Sequence, residues 1–146
     1  MSEHDLQDTI ALLSRTPAAL NALLRDLPES WTQRNEGEST WSAYDVIGHF
    51  IHGEQTDWIP RAKMILEHGE GRAFERFDRF AQERESKGKS LPQLLDEFAQ
   101  LRKESIRKLE AMKIADGMLD LTGTHPDFGR VTLKQFISAW RSEGVV

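Results

Sequence analysis

Residues 41–66 read WSAYDVIGHFIHGEQTDWIPRAKMIL, and the interpretation of the whole chain starts from this stretch. Ser42 and Asp45 have the spacing of a capping box, which predicts that a helix begins here. At about 100° per residue, seven apolar side chains cover one broad side of that helix. They are Val46, Ile47, Phe50, Ile51, Trp58, Met64 and Ile65. The pattern predicts the longest helix of the protein, with this side facing a core.

Three charged residues lie on or beside the same apolar side. Glu54 falls near its middle, with Asp57 and Arg61 next to it. Charges on a core-facing side are unfavourable unless they pair or reach a cavity. Asp57 and Arg61 have the i,i+4 spacing of an ion pair. The three charges form a buried ion network that serves packing, or the helix is rotated from this assignment, or they line a polar pocket inside a bundle.

Two of the five histidines lie on this helix. His49 is at the edge of the apolar side, and His52 is one turn further on and rotated toward solvent. Two histidines at i,i+3 can share a metal ion, but this spacing is common by chance. The spacing alone therefore does not predict a metal site.

The composition excludes several classes of protein. The 146 residues fit a single domain, 1–146, which is long enough for a core. The formal net charge of −5 argues against nucleic-acid binding, and the absence of cysteine excludes disulfides and thiolate chemistry. No apolar run approaches ~20 residues, so no membrane span is expected. The acidic N-terminus is unlike a signal peptide, and a cytoplasmic location is expected.

The first helix is predicted over residues 6–27, where leucine and isoleucine recur at spacings of three and four. Pro17 is expected to kink this helix or to restart it with Thr16 as the cap. Pro28 ends the element. Residues 29–40 are polar and are interpreted as a loop.

A third helix is predicted over residues 90–112, after a long connection at 72–89 that crosses the bundle. Ser90 and Gln93 have capping-box spacing at its start. Four basic residues are interpreted as solvated charge on its polar side. They are Arg102, Lys103, Arg107 and Lys108.

A short fourth helix is predicted after a turn-rich loop at 123–129. Thr132 and Gln135 form another capping box. The apolar residues Leu133, Phe136, Ile137 and Trp140 have the i, i+3, i+4, i+7 pattern of a helix face. The chain ends after barely three turns, so a truncated fourth helix is expected.

Four stretches together resemble the DinB-like (DinB/YfiT) superfamily. They are WSAYDVIGHFIHGEQTDW at 41–58, DRFAQE at 78–83, LLDEFAQLRKESIRKLEAM at 94–112 and GTHPDFGRVTLKQFISAW at 123–140. The resemblance implies an all-α fold, an up-down-down-up four-helix bundle with one long crossover, here with a truncated fourth helix. Characterised relatives include metal-dependent thiol-S-transferases, isomerases and hydrolase-like proteins, so the fold alone does not give the function.

The resemblance also implies a metal site. Family members that bind a divalent ion, commonly zinc or nickel, use one histidine of the second helix and an HxxxH pair of the fourth. The first histidine corresponds to His49. Counting on from Trp140 places the first of the pair at Glu143, a weak substitute, and the second just beyond Val146. A metal ion is therefore expected to bind weakly or not at all.

Two further residues are candidates for this chemistry. Glu54 matches an acidic position that is common in the family and could act as a catalytic acid or base. His125, which precedes a proline and is expected to be extended, could turn in from its loop as a replacement ligand.

Functions of different classes stay open at this point. One is a metal-dependent hydrolase or thiol transferase, with His49 holding the ion and Glu54 assisting. The alternative is a non-catalytic binding or dimerisation module that uses the bundle face left exposed by a short fourth helix. A third is a non-functional truncated relative. A homodimer and a small-molecule substrate are expected, and the sequence does not decide whether the protein is an enzyme.

Overall fold

The structure, a computed structural model, describes residues 3–35, 37, 40–78 and 80–141. The helices of this part of the chain are α1 (Glu3–Leu24), α2 (Glu29–Thr32), α3 (Ala43–Thr56), α4 (Trp58–His68), α5 (Ala81–Glu85), α6 (Leu91–Ala111) and α7 (Leu133–Arg141). Strands β1 (Thr122–His125) and β2 (Gly129–Thr132) form an antiparallel hairpin, and short 3₁₀ turns cover Gly69–Gly71 and Asp116–Asp120. None of the helices described is both long enough and apolar enough to cross a membrane.

The long helices form the predicted up-down-down-up bundle of α1, α3 with α4, α6 and α7. Arg25, just after α1, pairs with Asp96 near the start of α6 at 2.5 Å, so these two helices are antiparallel. The hydroxyl of Tyr44, at the start of α3, lies 2.5 and 2.7 Å from the carbonyl oxygens of Ser86 and Lys89 just before α6, and its one hydrogen is shared between them. Since α3 and α6 begin at the same end, the connection between α4 and α6 must cross the length of the bundle. The predicted fold is confirmed.

The first helix passes through Pro17 without a break. Proline has no N–H and cannot donate to the carbonyl of Leu13 four residues earlier. Arg102 of α6 donates to that carbonyl instead, through Nη1 at 2.9 Å. The neighbouring helix therefore replaces the hydrogen bond that the proline removes, and α1 does not restart at Thr16.

The prediction of one helix over residues 41–66 is wrong, because the chain breaks into α3 and α4 at Asp57. Pro60 lies in the first turn of α4. In a continuous helix its ring would collide with the carbonyl of Thr56, and its missing N–H would leave that carbonyl without a donor. The longest helix is consequently α1, with 22 residues.

The three capping boxes predicted from the sequence are present. They pair Ser42 with Asp45, Ser90 with Gln93 and Thr132 with Gln135. In each box the hydroxyl accepts from a backbone N–H and the longer side chain accepts from the cap residue's N–H. These local contacts set the first residues of α3, α6 and α7.

The loop predicted at residues 123–129 is instead the centre of a β-hairpin. Thr122 pairs with Thr132, and His125 with Gly129, across the two strands. The N–H of Leu133 donates to the carbonyl of Leu121 at 2.8 Å, so the hairpin leads directly into α7. The strands have four residues each and no strict apolar alternation, which is why the sequence pattern did not indicate them.

In the described residues the apolar core has two clusters. The larger one joins α1, α4, the connection between α4 and α6, the end of α6 with the segment after it, and α7. Its buried residues are Leu6, Leu13, Ile59, Ala62, Ile65, Phe74, Leu109, Ile114, Leu119, Leu133, Phe136, Ile137 and Trp140. The smaller one lies where α3 meets the first half of α6 and contains Ile47, Ile51, Leu91, Leu94, Leu95 and Phe98. The break at Asp57 thus sends α3 and α4 to different clusters.

Candidate functional site

The Glu54 carboxylate is buried and paired with Arg102 between the two clusters. Arg102 donates through Nε to Oε1 of Glu54, and Nε1 of Trp140 lies 3.4 Å from the same oxygen. The exposed fractions of the two charged side chains are 0% for Glu54 and 1% for Arg102. The guanidinium also lies 4.9 Å from the ring centroid of Phe98. Oε2 of Glu54 has no hydrogen-bond partner in the described part of the chain.

The interpretation of Arg102 as solvated charge is wrong. Lys103, Arg107 and Lys108 are exposed as predicted, but Arg102 lies on the buried face of α6. It follows Phe98 by four residues and precedes Ser105 by three, so it continues the buried row. That spacing was visible in the sequence, whereas its partner on α3 was not.

Asp57 and Arg61 form the i,i+4 ion pair predicted from their spacing, with Arg61 Nε 2.9 Å from Asp57 Oδ1. Arg61 also donates through Nη2 to the carbonyl of Glu75 at 2.7 Å, and its guanidinium lies 5.2 Å from the ring centroid of Phe74. Burial raises the pKa of Asp57 to about 6. The positive charge of Arg61 opposes this shift and the negative charge of Glu54 adds to it. Arg61 thus joins the connection between α4 and α6 to the break between α3 and α4.

His49 is half-buried among aromatic rings on α3. Its ring centroid lies 4.8 Å from that of Trp41 and 4.9 Å from that of Phe77, which it meets edge to face. Phe50 is the next ring, at 6.3 Å. The residue that the resemblance identifies as a metal ligand therefore lies against the crossover.

His52 is buried, with 8% of its surface exposed, although the helix pattern predicts that it points toward solvent. Its Nδ1 lies 3.2 Å from Oε2 of Glu85 on α5. Its ring lies 5.0 Å from that of Phe77, which also contacts His49. The difference arises because α5 packs over this side of α3, and a helical wheel contains no information about a later segment.

His125 serves the hairpin turn. Its Nδ1 accepts from the backbone N–H groups of Asp127 at 3.0 Å and Phe128 at 3.2 Å. Its ring lies 6.1 Å from that of Phe74 and 4.6 Å from that of Phe128. Burial holds the pKa of His125 below its usual value. Its Nδ1 lone pair is therefore already used within the hairpin.

The described residues do not fit a three-ligand site for a divalent ion. A catalytic zinc site usually takes three protein ligands and keeps one position open. Among residues 3–35, 37, 40–78 and 80–141, no three histidine, aspartate or glutamate side chains are placed to hold a metal ion. Glu143 lies outside the described residues. The roles predicted for His49 and Glu54 stay predictions.

Comparison with known proteins identifies the family. Residues 12–142 match the sequence profile of the DinB superfamily. The structure is similar to that of YfiT from Bacillus subtilis, described as a probable metal-dependent hydrolase with an unusual four-helix bundle topology. The TM-score is 0.81 at 19% identity, over 97% of this chain and 80% of YfiT. It is also similar to TT2238, a four-helix bundle protein, with a TM-score of 0.60 at 19% identity over 92% of this chain and 90% of that one.

The solved structures and the family profile establish different things about the chain. No curated protein gives a significant match. At 19% identity the two solved structures establish the fold alone. The family profile, in contrast, extends over most of the sequence, and the residues it spans include α3, the crossover, α6 and α7. The chain belongs to the DinB superfamily.

Proposed function

We propose that this chain is a non-catalytic binding protein built on the DinB bundle. The observation that carries the proposal is the buried pairing of Glu54 with Arg102. A carboxylate that acts as acid or base must reach the reacting group or a water next to it. Oε1 of Glu54 instead accepts from Arg102 and Trp140, on the inner side of the bundle.

The relative positions of His49 and Glu54 on α3 support the same proposal. Residues five apart on an α-helix point in directions about 140° apart. His49 accordingly contacts Trp41 and Phe77, whereas Glu54 contacts Arg102 of α6. A hydrolase that used His49 for the ion and Glu54 as the base would need both groups on one side.

Metal-dependent hydrolysis is the second candidate function. Two observations favour it, namely the likeness of the fold to YfiT and the buried Oε2 of Glu54, which has no hydrogen-bond partner among the described residues. An ion at His49 would require ligands from outside those residues.

Homodimerisation in the cytoplasm is a further part of the proposal. Its support is the apolar surface of α1, where Leu12 and Leu23 have 49% and 67% of their surface exposed. Light scattering at micromolar concentrations is expected to give twice the chain mass. The mass of a single chain would contradict the dimer.

Metal content tests the central proposal. The purified chain, His49→Ala and the control His68→Ala are incubated with zinc or nickel, desalted and analysed for bound metal. His68 is a suitable control because its side chain is 43% exposed at the end of α4. We expect no stoichiometric metal in any of the three proteins. About one ion per chain that is lost in His49→Ala and kept in His68→Ala would overturn the non-catalytic assignment.

A further inference from the structure

We infer that the groove between α1 and α6 binds a small amphipathic carboxylate, meaning an acyl or aryl chain with one anionic head. The inference rests on the proposed binding function and names its ligand class. The groove is separate from the surroundings of His49, because it lies between α6 and α1 whereas His49 faces the crossover.

The groove is large enough for a ligand of this kind. It is an open groove with a volume of about 560 Å³ between the two helices, which falls within the range of about 300–1,000 Å³ found for small-molecule sites. Ala18 of α1 and Ala99 of α6 both line it. Their short side chains, with Pro17 beside them, leave space that longer residues would fill.

Most of the inner wall is apolar. Its apolar residues are Leu95, Ala99 and Ile106 of α6 and Pro17 and Ala18 of α1. Successive members are four and seven residues apart along α6, and the two on α1 are adjacent, so they present a continuous strip along the groove. An apolar chain lying on this strip would be removed from water, which favours binding in proportion to the area buried.

The charges along the groove favour an anionic head. Asp96 is neutralised by Arg25 at 2.5 Å, and Arg102 is directed to Glu54. Lys103 and Arg107 line the same groove one turn apart and form no ion pair with any residue that the structure describes.

Two adjacent cations on one helix face repel each other and destabilise the helix slightly. A carboxylate between Lys103 and Arg107 would relieve this repulsion. Glu110 lines the groove further along α6, so the two cations face a single acid there. This positive rim stands out in a chain whose formal net charge is −5. The apolar strip and the positive rim together select an amphipathic carboxylate over a neutral or cationic ligand.

Titration calorimetry with dodecanoate, kept below the concentration at which it forms micelles, tests the inference on the full chain. We expect one equivalent to bind to the wild type. The double variant Lys103→Gln with Arg107→Gln should bind dodecanoate about tenfold more weakly, a loss of about 1.4 kcal/mol in binding free energy. The same variant should bind dodecanol as tightly as the wild type does. Lys108→Gln, on the same helix but outside the groove, should leave both affinities unchanged.

Ala99→Trp tests the apolar strip, because the indole would occupy the groove. We expect it to abolish dodecanoate binding while the helical circular dichroism is retained. The Lys103 and Arg107 changes are on exposed side chains, so they remain informative if Ala99→Trp does not fold. Absence of dodecanoate binding to the wild type would overturn the inference, and so would equal binding by the double glutamine variant.

One further result would overturn the ligand inference, and another would refute the proposed function alone. If Ala99→Trp converts a dimer into a monomer, the groove is the surface between two copies and the ligand inference is wrong. Metal found at His49 would refute the non-catalytic assignment without changing dodecanoate binding in the groove. The two proposals therefore fail in different measurements.

Discussion

Replacing Arg102 with methionine is expected to destabilise the protein by about 3–5 kcal/mol, the usual effect of removing one partner of a buried ion pair. Methionine is long, flexible and uncharged, so it fills much of the same space. What it removes is the counterion of Glu54, whose side chain is fully buried. Since domains of this size are stable by about 5–15 kcal/mol, the variant should fold but unfold at much lower urea concentrations.

The same substitution has a second effect, on the carbonyl of Leu13. This carbonyl has no helical donor because residue 17 is proline, and Arg102 supplies the hydrogen bond at 2.9 Å. A buried carbonyl left without a partner costs about 1–3 kcal/mol. Pro17→Ala would restore the backbone N–H that can donate to Leu13 from within α1.

A double-mutant cycle isolates this contact. In the wild type the Leu13 carbonyl already accepts from Arg102, so Pro17→Ala gains little there. In the Arg102→Met background the carbonyl is open, and Pro17→Ala should restore about 1–3 kcal/mol more than in the wild type. Differences in helix propensity and in the unfolded chain occur in both backgrounds and cancel.

Urea unfolding followed by circular dichroism provides the four free energies at neutral pH. Lys103→Met is the matched control, because Lys103 is exposed on the same helix and its change should stay within about 0.5 kcal/mol. A loss below about 1 kcal/mol for Arg102→Met would refute the role of the ion pair. An equal effect of Pro17→Ala in both backgrounds would refute the replacement of the helical hydrogen bond.

Three further predictions use the same unfolding assay. Gly48→Ala should destabilise by about 1–3 kcal/mol, because the new Cβ would lie 2.5 Å from Oγ of Ser86, whereas Gly53→Ala, with its nearest atom at 3.4 Å, should not. Ser42→Ala should cost about 1 kcal/mol through loss of the cap of α3, and no change would show that the cap is dispensable. Because the folded pKa of Asp57 is raised to about 6, its contribution to stability falls as pH rises from about 4 to about 6. Asp57→Asn should therefore gain about 1–3 kcal/mol relative to the wild type over that range, and a pH-independent difference would contradict the shift.

The features predicted correctly from the sequence depend mostly on neighbours close along the chain. The capping boxes at Ser42, Ser90 and Thr132 were predicted from residues three positions apart, and each is present. The apolar face of α7 followed from its spacing, and its residues are buried as expected. The bundle order needed more than spacing, and it was predicted through the resemblance of several stretches to one family.

Two of the errors concern contacts between distant segments. Arg102 was expected in solvent because its partner Glu54 lies 48 positions away. His52 was expected to be exposed because α5, which covers it, belongs to a charged connection. Two other errors are local. The hairpin at 122–132 was missed because its strands are short and lack strict apolar alternation. The break at Asp57 could have been predicted, since Pro60 was visible in the sequence and a local rule was sufficient.

The break at Asp57 also bears on how the folded protein opens and closes. Because α3 belongs to the smaller apolar cluster and α4 to the larger one, the two helices are consecutive in the sequence but pack in different clusters. Segments with separate cores tend to open as separate cooperative units. Native-state hydrogen exchange should therefore show the amides of α4 and α7 becoming exposed together, at a free energy different from that of α3. Both ends of α6 are packed, one in each cluster, so its amides should be the last to exchange.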